Sequence, residues 1–223
     1  MRRSPDCRRP LAALLLSLCV PLALAWPEVP MPEGASYEEV SRHMEHNGLP
    51  MRAGRFRSAL GPEQVVGFYH RRWGSNGSTV SLLEDRRIIA RHQGRYFITI
   101  EVRPEGGGSL AQIGITELLG REPAQAPGSG FPQPGGTRVV TDTRFLDDPG
   151  RTLSLEVPMP VAQAWEWYRA RLQQQGWQAD GRQGCAVMAR QCQAGYQRGR
   201  EALTLTFDQQ PGHTAVVANQ LRR

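Results

Sequence analysis

Two stretches of similar pattern decide the expected fold: PEQVVGFYHRRW at residues 62–73 and PVAQAWEWYRARLQQQ at residues 160–175. In each stretch three apolar side chains recur at i, i+3 and i+7, which is the spacing of one helix face. They are Val66, Tyr69 and Trp73 in the first stretch and Trp165, Tyr168 and Leu172 in the second. Each stretch begins near a proline and stops at a glycine, as helices commonly do. The pattern predicts two amphipathic helices whose apolar faces cover a sheet.

Short runs of strand-forming residues surround both predicted helices. The predicted strands lie at 52–59, 79–83, 87–91, 96–102 and 110–116 in the first half and at 152–157, 186–191, 195–198, 202–207 and 214–219 in the second. The sequence therefore predicts an α+β fold of two related modules. Each module would be a helix packed on an antiparallel meander sheet, in the order strand-helix-strands. A duplication explains the likeness of the halves, and chance similarity of two small patterns is the alternative.

Glycine and proline are concentrated between the two halves. Nine of the 17 residues at 120–136 are Gly or Pro, a content that neither a helix nor a central strand tolerates. We interpret residues 120–137 as a Pro/Gly-rich linker between a first module at 51–119 and a second module at 138–223. A long ordered loop is the alternative interpretation.

The segment before the first module, residues 26–50, is predicted to be an extended arm followed by a short helix. Its start is rich in proline, and Ser36 and Glu39 have the spacing of a helix capping box. Asn47-Gly48 would end this helix. The extended arm either docks on a partner through its prolines or forms a loose terminus.

The first 25 residues have the pattern of a secretory signal peptide. A start with four arginines precedes an apolar run at 11–18, and Ala23-Leu24-Ala25 is a small-x-small cleavage site. Cleavage after Ala25 predicts a periplasmic or secreted protein. Three alternatives stay open: lipidation at Cys19, which would attach the chain to a membrane, twin-arginine export, and a retained anchor.

Charge and motifs argue against several classes of partner. The chain has 27 basic and 21 acidic residues, a net charge of +6, and arginine as its only basic residue besides histidine. The first 25 residues hold four arginines and one aspartate, so the remainder has a net charge of +3. That charge is too small to indicate nucleic-acid binding. The sequence indicates no cofactor, and His43 and His46 on the short helix are too few ligands for a metal site.

Eight residues are candidates for structural or binding roles. Cys185 and Cys192 are expected to form a disulfide in an oxidising compartment, with free thiols or a redox pair as alternatives. Trp167 points away from the apolar stripe of the second helix, so it either anchors an interface or packs under a loop or against the other module. Five arginines could bind an anion if the fold brings them together, and ordinary solvated arginines are the alternative. They are Arg52, Arg55, Arg57, Arg71 and Arg72.

These patterns favour an exported, non-enzymatic protein that acts by contact, as an accessory or assembly factor for envelope proteins. The first alternative is a periplasmic binding protein that holds an anionic glycan or a lipid head group with the five arginines. The second is an unrecognised hydrolase, because catalytic triads need not be local in sequence. The sequence does not determine the oligomeric state.

Overall fold

The computed structural model describes residues 25–74, 76–183, 185 and 189–222. The first half contains β1 Ser36–His46, β2 Leu49–Ser58, α1 Pro62–Trp73, β3 Thr79–Leu83, β4 Arg86–Gln93, β5 Tyr96–Glu105 and β6 Gly108–Glu117. The second half contains β7 Arg138–Phe145, β8 Gly150–Val157, α2 Val161–Gln174, β9 Gln178–Gln183, β10 Gln191–Arg198, β11 Glu201–Gln210 and β12 His213–Arg222. Within this described part, neither helix has the length and apolar content needed to cross a membrane. The predicted signal peptide up to residue 24, with Cys19, and part of the predicted strand at 186–191 lie outside the described residues.

All the described strands belong to one antiparallel sheet. Its twelve strands run in the order β3-β4-β5-β6-β2-β1-β7-β8-β12-β11-β10-β9. The prediction of two separate helix-on-sheet modules is therefore wrong. Each half contributes six strands in the same relative order, but β1 pairs with β7 and makes the sheet continuous.

The short helix predicted within residues 26–50 is also wrong, because β1 occupies Ser36–His46. Asn47 and Gly48 have φ angles of 50° and 78°, which are the positive values that a two-residue hairpin turn requires. This Asn-Gly pair therefore reverses the chain from β1 into β2 instead of ending a helix. The polar residues of β1 match a strand that lies near the centre of the sheet but is exposed along most of its length.

The two helices lie on the same face of the sheet. One row of cross-strand partners across the joint consists of Met51, Met44 and Phe145, so these three side chains point to the same face. None of them belongs to either of the two apolar cores described below. The core residues Phe56 and Leu153 alternate with this row and point to the opposite face. Both helices pack on that opposite face, and we call it the helix face. No described helix covers the other face.

Each helix covers its own apolar core. The first core lies beneath α1 and includes Phe56, Val65, Tyr69, Ile89, Ile98, Ile100 and Ile113. The second lies beneath α2 and includes Leu153, Leu155, Tyr168, Leu172, Leu203, Leu205 and Phe207. The buried helix positions follow the spacing that the sequence predicted at Tyr69, Tyr168 and Leu172.

The segments predicted as an arm and a linker both pack against the sheet. In the N-terminal segment, Val29 and Met31 pack against the first core, and the Tyr69 hydroxyl donates a hydrogen bond of 2.8 Å to the Pro30 carbonyl. In residues 120–137, Phe131 is buried in the second core. The latter segment therefore contributes a side chain to the second core, and we call residues 120–137 the ordered loop below.

Candidate interaction surfaces

The strand β3 forms one open edge of the sheet. Its sequence, TVSLL, contains no charged residue and no proline, and all five residues are exposed. Val80 pairs with Ile89, which belongs to the first core, so Val80 points to the helix face. Leu82, two residues further along the strand, points to the same face. Proteins usually protect such an edge with charges, proline or a bulge. This edge therefore offers backbone hydrogen-bonding groups beside exposed apolar side chains.

The strand β9, at the opposite end of the sheet, has a different character. Its pairing with β10 is irregular between Ala194 and Tyr196, and Gly181 within it has a φ of 81°. Irregularities of this kind distort an edge and hinder further pairing. The disulfide between Cys185 and Cys192 links the chain beyond β9 to the start of β10, which confirms the predicted pairing of these cysteines.

The structure does not bring the five candidate arginines together. Arg52 points to the helix face, whereas Arg55 and Arg57 point to the uncovered face. Arg71 and Arg72 are exposed in the last turn of α1. An anion site shared by all five therefore has no geometry to support it.

Arg55 and Arg57 also have carboxylate partners. Arg55 makes two hydrogen bonds of 2.8 Å and 2.9 Å to the carboxylate of Glu38, and Arg57 makes one of 2.8 Å to Glu105. Exposed pairs of this type contribute about 0–1 kcal/mol to stability. Their main effect is to keep the uncovered face polar.

Trp167 is half-buried on α2 and packs against the second core. Its ring lies 5.0 Å from that of Tyr168, and the residue lines a shallow cleft with Pro132 and Gln133 of the ordered loop. These contacts agree with packing beside a loop. The role of Trp167 as an interface anchor stays a prediction.

The two histidines of the N-terminal segment lie on a strand, so the helical spacing considered for a metal site does not occur. The His46 ring makes a hydrogen bond of 3.0 Å with the Thr143 hydroxyl, and the backbone N–H of His43 donates to Asp147. The described residues contain no group of three or more His, Cys, Asp or Glu side chains that could hold a metal ion.

A groove of about 660 Å³ lies on the helix face between the N-terminal segment and the strands β1, β2 and β6. We call it the Arg52 groove. Its apolar wall is formed by Val29, Met31, Ile113 and Ile115, and its polar part includes Arg52. The volume falls within the range of small-molecule pockets.

Two local features create the space for the Arg52 groove. The pairing of β1 with β2 is irregular between Glu39 and Ser41 and again between Ser41 and Met44. Arg52 lies opposite the second irregularity, so no β1 residue pairs with it. Gly54 leaves room for the Tyr37 ring, because a Cβ at position 54 would overlap it. Burial is the main cause that raises the pKa of the Tyr37 hydroxyl, and nearby Glu39 adds to the effect.

A cluster of polar residues holds the central β1–β7 joint together, and we call it the Asp142 cluster. The Arg151 guanidinium donates two hydrogen bonds, of 2.9 Å and 2.7 Å, to the Asp142 carboxylate. The backbone N–H of Gly128 donates a third of 2.8 Å. Asn47 exchanges two further hydrogen bonds of 2.8 Å with the Asp142 backbone. Burial raises the pKa of Asp142, but the hydrogen bonds from Arg151 and Gly128 outweigh this effect and lower it.

A second carboxylate, that of Asp147, also links β1 to the hairpin of β7 and β8. Asp147, in the turn between β7 and β8, accepts hydrogen bonds from the Ser41 hydroxyl at 2.9 Å and the Arg42 backbone N–H at 2.8 Å. The Arg42 hydrogen bond is the main cause that lowers the pKa of Asp147 to about 2. Each hairpin turn is thus tied to the first strand of the other half.

Sequence reasoning predicted β3 as a strand but did not place it at an edge, and it did not find the Arg52 groove. The absence of charge and proline in TVSLL is the signal that could have identified an unprotected edge. The groove has no local signal, because it joins residues of the N-terminal segment, β1 and β2 to residues of β6, which lie about 60 positions further along the chain. Comparison of the chain with models of known families, with curated proteins and with solved structures gave no match.

Proposed function

We propose that this chain is an exported, non-enzymatic envelope protein that acts by contact, as an accessory or assembly factor. The observation that carries the proposal is the open edge of β3, where all five residues are exposed. Export rests on the predicted signal peptide. The partner contributes an extended segment that adds to the sheet beside β3.

The surroundings of β3 fit the addition of a strand. Arg87 of β4 donates a hydrogen bond of 2.6 Å to Glu63 of α1, and the Arg91 guanidinium lies 5.2 Å from the centroid of the Trp73 ring. These contacts keep α1 over β4 and leave β3 outside the helix. A partner strand would satisfy the outer backbone groups of β3 and cover Val80 and Leu82 with its own alternate side chains.

Charge at the edge is expected to block this contact. Leu82 is 64% exposed, so Leu82→Arg changes the edge without removing core packing. We expect the yield of envelope proteins cross-linked to the tagged chain in intact cells to fall about tenfold. The measurement is quantitative mass spectrometry of the captured proteins, with equal amounts of folded bait confirmed by circular dichroism.

Leu221→Arg is the matched control, because Leu221 is 54% exposed and lies on β12, away from β3. It introduces the same charge and is expected to leave the cross-linked proteins unchanged. Equal losses in both variants would show that charge alone disturbs capture. An unchanged pattern in Leu82→Arg would refute the role of the β3 edge.

A further inference from the structure

The guanidinium of Arg52 lacks the partners that the other arginines of β2 have. Its Nε atom is buried and has no hydrogen-bond partner among the described residues. No described carboxylate lies within ion-pair distance of it. Its neighbour is the Trp26 ring, whose centroid lies 4.7 Å from the guanidinium carbon. A buried N–H donor without a partner is costly, and Arg52 lines a groove, so the geometry points to a ligand there.

We propose that the Arg52 groove binds an amphiphile with one negative charge, of the fatty-carboxylate class. The head group contacts Arg52, and the apolar chain lies along the wall of the groove. Stacking on Trp26 occupies the flat face of the guanidinium and leaves N–H groups in its plane for a carboxylate. This site is independent of the β3 edge, because it lies between the N-terminal segment and the central strands.

The apolar wall of the Arg52 groove is the reason to expect an apolar chain on the ligand. Val29 and Met31 come from the N-terminal segment, and Ile113 and Ile115 come from β6. A small hydrophilic anion would leave this surface in contact with water. An alkyl chain would cover it, and burial of apolar surface contributes about 25 cal/mol per Å².

The acidic residues of the groove limit the charge of the head group. Glu28 and Glu39 line the groove together with Arg52. The Glu39 carboxylate already pairs with Arg42, which lies outside the lining. Glu28 repels every negative charge on a head group, and the one guanidinium of Arg52 offsets a single charge, so a second negative charge would be uncompensated. The arrangement therefore favours a carboxylate over a phosphomonoester.

The N-terminal segment is held in place as one wall of the groove. The Trp26 ring packs 5.1 Å from that of Tyr96, and the Tyr69 hydroxyl holds the Pro30 carbonyl. These contacts give the groove a formed shape without a ligand. We therefore expect binding without a large rearrangement of the sheet.

The test is isothermal titration calorimetry of the purified chain with decanoate, 1-decanol and acetate. We expect decanoate to bind and 1-decanol, which lacks the charge, to bind roughly ten- to hundredfold more weakly. Acetate, which lacks the chain, is expected to give no measurable binding. The probes separate the charge from the apolar chain on unaltered protein, so this arm does not depend on the folding of a variant.

Arg52→Met removes the charge and keeps a long side chain, and we expect it to weaken decanoate binding roughly ten- to hundredfold. Arg55→Met is the matched control, because Arg55 lies on the same strand but on the uncovered face. It is expected to leave decanoate binding unchanged. Equal affinity for decanoate and 1-decanol, an equal loss in both variants, or no binding of decanoate would overturn the proposal. None of these results bears on capture through the β3 edge.

Discussion

Tyr168→Ala is expected to lower the free energy of unfolding by about 4 kcal/mol, because it removes a large ring from the second core. The side chain is 0% exposed. Its ring centroid lies 6.0 Å from that of Phe131 in the ordered loop and 6.0 Å from that of Phe207 in β11. The cavity left by alanine would loosen the helix, the loop and the sheet together. Urea unfolding followed by circular dichroism measures the effect.

Tyr168→Phe is the matched control for this variant. It keeps the ring and its packing and removes the hydroxyl alone, so we expect a change of less than about 1.5 kcal/mol. A loss in Tyr168→Phe as large as that in Tyr168→Ala would assign the effect to the hydroxyl. That result would contradict the conclusion that the ring packs α2 onto the sheet.

Asp142→Asn is expected to lower the free energy of unfolding by about 3 kcal/mol, because it leaves the largely buried guanidinium of Arg151 without its carboxylate partner. The side chains of Asp142 and Arg151 are 4% and 16% exposed, so water replaces the lost interaction poorly. The same carboxylate holds the backbone of Gly128, and the Asp142 backbone holds Asn47. The variant therefore weakens the point where the two halves of the sheet meet.

The response to pH gives a second measurement of the same cluster. The pKa values of Asp142 and Asp147 are lowered in the folded protein, that of Asp147 to about 2. Carboxylates with lowered pKa values stabilise the fold above their unfolded pKa of about 4, and this stability is lost as the pH falls through the folded value. We expect the free energy of unfolding to fall between about pH 4 and pH 2. The fall should be shallower in Asp142→Asn, which lacks one of the two groups.

Glu38→Gln is the control for the loss of a charge pair. Glu38 and its partner Arg55 are 55% and 41% exposed in their side chains, so we expect a change of about 0–1 kcal/mol. If Asp142→Asn were no more destabilising than Glu38→Gln, the Asp142 cluster would not stabilise the joint. If the free energy of unfolding fell with pH as steeply in Asp142→Asn as in the unaltered protein, Asp142 would not have a lowered pKa in the folded protein.

The two helices were predictable because their signals are local. A stripe of apolar residues such as Tyr168 and Leu172 has a helical period within a few turns, and a glycine follows each helix. Most strands in the meanders were predictable for the same reason. The disulfide between Cys185 and Cys192 followed from the pairing of two cysteines in a chain predicted to be exported.

The strands that join the two halves were not predictable in this way. β1 and β7 contain many polar residues and register irregularities, so their alternation is broken. The Asn47-Gly48 pair was interpreted as a helix end, although it is also a strong signal for a hairpin turn. Without these two strands, the sequence leads to two separate modules instead of one sheet.

The candidate arginines show how the faces of a strand are assigned. The alternation of side chains along β2 places Arg52 on one face and Arg55 and Arg57 on the other, although sequence reasoning had grouped all three in one candidate site. It did not show which face the helix covers, and the exposed pairing of Arg55 with Glu38 depends on that face. It also did not show that Trp26 would lie against Arg52.

By itself, the sequence determined the two amphipathic helices, most of the strands and the disulfide, because each depends on spacing within a short stretch. The tertiary structure alone decided that β1 pairs with β7, that β3 is an open edge, and that Arg52 faces an apolar groove. The physical reason is the distance along the chain between the interacting groups. Asn47 and Asp142, which hold the joint, are 95 residues apart, and no local pattern records which of many distant polar groups will meet.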